Sequence, residues 1–160
     1  MKSTIIIGYG NPDREDDGVA WHLLNKIVAA CDCPEADLFS SDVIPVKPGL
    51  DIWFNFQLLP EMADTIADYD RALFIDAHTG NIEEDISYHA LEPEFQNSPF
   101  THHFTASSCL AVAQSLKGHY PKSKMLSVRG FQFAFSRELS DQTAELVNQA
   151  FALLKHDFLE

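Results

Sequence analysis

The sequence predicts an α/β protein: three layers, with a mostly parallel, twisted sheet of about five strands and helices on both faces. Three observations lead there. The runs TIIIGY at 4–9 and RALFIDA at 71–77 have the length and unbroken apolarity of strands buried on both sides. Segments with helical spacing separate such runs, which calls for crossover connections between parallel strands. Polar clusters fall where the apolar runs end, and open α/β sheets collect ligand groups at strand C-termini. With 160 residues and 46% apolar composition, one domain spanning 1–160 can bury an adequate core.

The elements follow in order. TIIIGY is β-branched and stopped by glycine, as a buried strand is. Ala20, Leu23, Leu24, Ile27 and Val28 then share one face of a helix, preceded by Asp16 and Asp17. Pro34 closes that region, DLFSSDV at 37–43 reads as a second strand, and IPVKPGLDIWFNF at 44–56 as an irregular, aromatic-rich connection. QLLPEMADTIADY at 57–69 predicts a helix with Pro60 in its first turn. RALFIDA is a buried strand and ISYHAL at 86–91 an edge strand. THHFTASSCLAVAQSLKG enters a helix at Thr105 or Ser107. KMLSVRGFQFAF is a strand region bulged at Gly130, and a last helix from Ser140 buries Val147, Ala150, Phe151 and Leu154.

Bulk properties exclude several function classes. Twenty-four acidic against eleven basic residues give a formal charge of −13, which opposes nucleic acid and anionic membrane surfaces. No run approaches a membrane span, and MKSTIIIGYG lacks the features of a signal peptide, so a cytoplasmic protein is expected. Cys31, Cys33 and Cys109 are odd in number and offer no disulfide framework.

The stretch GYGNPDREDDGV at 8–19 poses the chemical question. Its glycines turn after a strand like a phosphate loop, but Asp13 occupies the third glycine position of GxGxxG, and Asp16 and Asp17 stand at the helix start. Carboxylates there repel the phosphate that a helix N-terminus attracts. A cation suits them better. Asp76, ending a buried strand, and His102 or His103, in the loop before a helix, would complete an O, O, N set suited to nickel, zinc, manganese or iron. Blander readings exist for each residue. A helix cap accounts for one of Asp16 and Asp17 but not both, Asp76 could serve a turn, and the histidine pair could be solvated. His78 is a rival ligand two residues after Asp76, whereas Cys31-Asp32-Cys33 and the single histidines His22, His89, His119 and His156 read as structural.

The motifs IIIGYGNPDREDDGV, QLLPEMADTIADYDRALFIDA, THHFTASSCLAVA and MLSVRGFQFAFSRELS together resemble the hydrogenase maturation proteases. These endopeptidases trim a C-terminal extension from the large subunit of nickel-iron hydrogenases. The resemblance spans nearly the whole chain and implies a phosphorylase/hydrolase-like fold. It places the metal-contacting acid of the first loop on Asp17, the second acid on Asp76 and the histidine on His102, which sets Phe104 and Leu110 on the family's apolar positions. These three would be both the catalytic and the metal-contacting residues. The implied nickel is supplied by the substrate, other divalent metals could substitute, and the partner is the hydrogenase large-subunit precursor, met by a monomer without nucleic acid or membrane. The chain departs from the family pattern in several places. SSDVIPVKPG replaces an Asp-Gly-Gly-Thr type motif, Glu15 and Ala20 stand where glycine is usual, and Arg137-Glu138 where glycine and glutamate are common. Trp53, Phe54 and Phe56 are candidates for a docking surface. Two alternatives share parts of the pattern. A nickel-sensing maturation scaffold would keep the ligands without hydrolysis, and a peptidyl-tRNA hydrolase-like enzyme opens with a similar GxGNP turn but needs a basic face.

Overall fold

The computed structural model describes residues 3–95 and 104–160. Six strands form one sheet in the order β2-β3-β1-β4-β6-β5, comprising β1 (Thr4–Tyr9), β2 (Ile44–Lys47), β3 (Leu50–Asn55), β4 (Arg71–His78), β5 (Ile86–Leu91) and β6 (Lys122–Arg129). The four inner strands run parallel, while β2 and β5 pair antiparallel at the two edges. Ile5, Ile6 and Ile7 of β1 are all fully buried, because helices cover both faces.

Helices α1 (Val19–Ala30) and α4 (Asp141–Leu154) pack on one face over Ile6, Leu73, Ile75, Leu126 and Val128. Helices α2 (Met62–Ile66) and α3 (Ala106–Lys117) pack on the other over Ile5, Ile7, Ala72 and Phe74. The chain therefore leaves β1 for α1 on one face, whereas from β4, its neighbour, it runs through the edge strand β5 to α3 on the other. Such a divergence opens a crevice at the strand C-termini between β1 and β4. Side-chain caps fix two helix starts, with Thr105 accepting from Ser108 N at 3.0 Å and Ser140 from Thr143 N at 3.3 Å.

The structure corrects the sequence reading between 37 and 69. DLFSSDV is not a strand: Leu38–Ser40 is a 3-10 turn capped by Asp37, whose carboxylate accepts from Phe39 N at 3.0 Å. The expected irregular connection is a hairpin, and its second arm, β3, lies beside β1. Leu50, Ile52 and Phe54 alternate with less buried neighbours, a period-two signal that Pro45 and Pro48 obscure. Pro45 is tolerated because β2 is an edge strand with an irregular register between Pro45 and Lys47. The helix expected over 57–69 is shorter, and Pro60 precedes it rather than lying in its first turn. β6 ends at Arg129 in continuous register with β4, so no bulge forms at Gly130.

Candidate active site at the carboxyl ends of β1 and β4

The loop leaving β1 is folded back on itself. Gly10 has φ +137°, and a Cβ there would lie 2.3 Å from the Asp17 carbonyl oxygen, so only glycine lets the strand end approach the Asp17 backbone. The Asp17 carboxylate accepts from Asn11 N at 2.8 Å, and Asn11 Oδ1 accepts from Asp13 N at 2.9 Å. Asp17 is thereby held at the crevice, partly exposed.

Asp16 plays a different part from the cap expected of it. No side-chain cap closes α1, which follows a 3-10 turn over Glu15–Gly18. Fully buried, the Asp16 carboxylate accepts from Phe131 N (2.7 Å), Gln132 N (2.9 Å), Ser140 N (2.7 Å) and Ser140 Oγ (2.7 Å). Burial alone would raise its pKa, but these donors outweigh burial and lower it. Asp16 thus ties the first loop to segment 131–140. Glu15 adds a second tie, accepting from Ala134 N at 3.0 Å. Its φ of +45° explains why glycine would suit this position, and the carboxylate contact offsets the strain of a side chain there.

Asp76 follows the buried run Ala72–Ile75 of β4, opposite Ser127 of β6. Its Oδ1 accepts from Ser127 Oγ at 2.7 Å and its Oδ2 from Tyr9 OH at 3.2 Å. Burial first, with the Asp17 charge added, pushes its pKa up to about 6 against the lowering by these two donors. The Asp17 carboxylate is therefore near enough to act on Asp76 across the crevice. Burial, with the Asp76 charge and hydrogen bond added, raises the Tyr9 hydroxyl well above its ordinary value and keeps it a donor. Sequence reading missed Tyr9 and Ser127 although both stand in the motifs quoted above, because neither is an acid or an imidazole and nothing local shows what it touches. The pairing of β6 with β4 is what brings Ser127 to Asp76.

His102 and His103 lie outside the described residues. Among the described residues no cluster of three or more histidines, cysteines or acids is arranged to hold a metal. His78 is not available as the third ligand in this arrangement: its Nδ1 accepts from Gly80 N at 3.1 Å, which leaves Nε2–H to donate to the Glu84 carbonyl at 3.0 Å. Cys31 and Cys33 are free thiols beside the core, and Cys33 Sγ donates to the Val46 carbonyl at 3.3 Å. No helix among the described residues is long and apolar enough to cross a membrane.

Neither a family model nor a curated protein sequence matches this chain. Solved structures do. The HycI maturation protease of Thermococcus kodakarensis KOD1 superposes with a TM-score of 0.67 at 16% identity, covering 97% of this chain and 91% of that one. The hydrogenase maturating endopeptidase HybD of E. coli gives 0.66 at 17% identity, covering 98% and 94%. The fold is that of the hydrogenase maturation proteases. A third structure, the Hydrogenase 3 maturation protease, gives 0.62 at 14% identity over 94% of this chain and 88% of that one.

Proposed function

We propose that this protein is an endopeptidase that removes the C-terminal extension of a nickel-iron hydrogenase large-subunit precursor after nickel insertion. The observation that carries the reading is the convergence of Asp17 and Asp76 at the β1/β4 crevice, on a whole-chain maturation-protease fold. Asp17, Asp76 and His102 hold the nickel that the precursor already carries, so that metal occupancy of the substrate selects what is cut. Two carboxylates and an imidazole leave coordination positions for precursor thiolates, water or the scissile carbonyl. The nickel supplies a Lewis acid for attack by water on that carbonyl. Tyr9 and Ser127 orient Asp76, and a bound cation would favour the ionised carboxylate that burial disfavours in the metal-free protein.

Incubation with nickel-loaded and nickel-free precursor, followed by mass measurement, tests the reading. Loss of a short C-terminal peptide from the nickel-loaded form alone is expected. A stable complex with unchanged mass would instead mark a nickel-sensing scaffold. An Asp17→Asn variant that processes nickel-loaded precursor at the wild-type rate would remove Asp17 from the site.

A further inference from the structure

We propose that an aromatic rim beside the Asp17 loop, formed by Phe39, Phe56 and Phe135 with Arg137 between them, is where the protein substrate docks. Its occupant is a segment of the precursor in which lysine or arginine stands among apolar residues. The proposal rests on the endopeptidase reading above. Phe135 is 90% exposed, Phe56 53% and Phe39 42%, and exposed aromatics gathered in one place mark interaction surfaces where scattered ones do not.

The side chains of Phe39, Phe56 and Arg137 are held in place before any partner arrives. Phe39 stacks on Trp21 and on Phe56 at centroid distances of 5.8 and 6.3 Å. The Arg137 guanidinium lies over Phe39 at 5.3 Å and over Trp21 at 5.5 Å, while Asp13 Oδ1 accepts from its Nε and Nη2 at 2.9 and 2.7 Å. Phe135 stands two residues before Arg137 on the same segment, with its side chain in solvent. Its neighbours are anchored by Ala134 N to Glu15 Oε1 (3.0 Å), Ser136 N to the Asp13 carbonyl (3.0 Å) and Glu15 N to the Ser136 carbonyl (2.8 Å). Preorganised aromatics lose little conformational freedom on binding.

The rim is also tied by hydrogen bonds to the loop that carries Asp17. Gly10 N donates to the Phe56 carbonyl at 3.1 Å, and Asp13 and Glu15 of the Asp17 loop hold the segment that carries Phe135. A chain seated on the rim is thus delivered to Asp17.

Charge identifies the occupant. Asp37, Asp42 and Glu138 are exposed on the segments that carry the rim. Two arginines stand at the rim, Arg137, whose charge Asp13 takes up, and the exposed Arg14, bridged to Ser136, and the carboxylates of Asp17, Asp37, Asp42 and Glu138 outnumber them. Aromatic faces next to carboxylates attract a cation with an apolar stem, and the overall charge of −13 steers a basic segment inward.

The test is steady-state cleavage of intact, nickel-loaded precursor by the full chain and by Phe135→Ala and Phe39→Ala/Phe56→Ala variants, with Leu153→Ala on α4 as an exposed control. KM should rise about tenfold or more with kcat within about twofold, while the control matches wild type. Raising the ionic strength should raise KM for wild type and do so less for Asp37→Asn/Asp42→Asn. Thermal unfolding of Phe135→Ala should match wild type, since its side chain is almost wholly in solvent. Wild-type kinetics in Phe135→Ala and in the double variant would overturn the docking surface while leaving the endopeptidase reading intact. Failure of the wild-type protein to cleave the precursor at all would overturn both.

Discussion

Replacing Asp76 by asparagine should make the metal-free protein more stable at neutral pH while abolishing cleavage. Asp76 has its carboxyl pKa raised from 3.8 to about 6 by burial, so its ionised form is disfavoured in the folded state. A folded-state pKa above the unfolded value means that stability from this group is fully present below about pH 4 and is lost as pH rises to about 6. Two units at roughly 1.4 kcal/mol each amount to about 3 kcal/mol of destabilisation at pH 8. Asparagine cannot ionise and removes that cost. Its carbonyl can still accept from Ser127 Oγ, but its amide faces the Tyr9 hydroxyl, a lost acceptor worth about 1 kcal/mol. A net gain of about 2 kcal/mol follows, or a rise of roughly 4–8 °C in the unfolding midpoint for a chain of this size. Urea denaturation of both proteins at several pH values between 4 and 8 measures it. The stability difference should grow between pH 4 and 6 and then level off. A difference that does not change with pH, or a variant no more stable than wild type at pH 8, would refute the account of Asp76 as a carboxylate strained by its site.

Other outcomes follow from the same geometry. Asp16→Ala should cost about 3–5 kcal/mol in urea unfolding, because it leaves the buried amides of Phe131, Gln132 and Ser140 without their acceptor. Since the Asp16 pKa is lowered, wild type should lose this contribution as pH falls below about 4, and a loss under 1 kcal/mol would contradict the clamp. Gly10→Ala should displace Asp17 and abolish cleavage, because the new Cβ would meet the Asp17 carbonyl at 2.3 Å in a backbone conformation that favours glycine; normal activity would exclude that contact. Ser127→Ala removes a donor to the ionised carboxylate, so the Asp76 resonance followed by carboxyl NMR in metal-free protein should titrate above its wild-type value, and an unmoved titration would mean that Ser127 does not hold Asp76.

Much of the architecture was legible because it rests on local signals. The unbroken apolar runs of β1 and β4, the helical spacing after Asp17, and the Thr105 and Ser140 caps each declare themselves within a few residues. The hairpin of β2 and β3 did not, because two prolines masked an alternation that makes sense only once β3 is seen paired with β1. Asp17 and Asp76 could be picked out as carboxylates at strand ends from the chain alone. That they face one crevice depends on β1 and β4 being neighbours whose connections diverge to opposite faces, which no local pattern encodes. The same holds for the division of labour between adjacent aspartates. In sequence Asp16 and Asp17 are equivalent. In the fold one is fully buried, with its oxygens filled by donors from residues more than a hundred positions away, and only the other is left facing the crevice. Residue type and spacing determined that acid would gather after the first strand. Which acid is free to do chemistry was decided by long-range hydrogen bonding, because a carboxylate whose lone pairs are satisfied by the core has none left for a cation or a substrate.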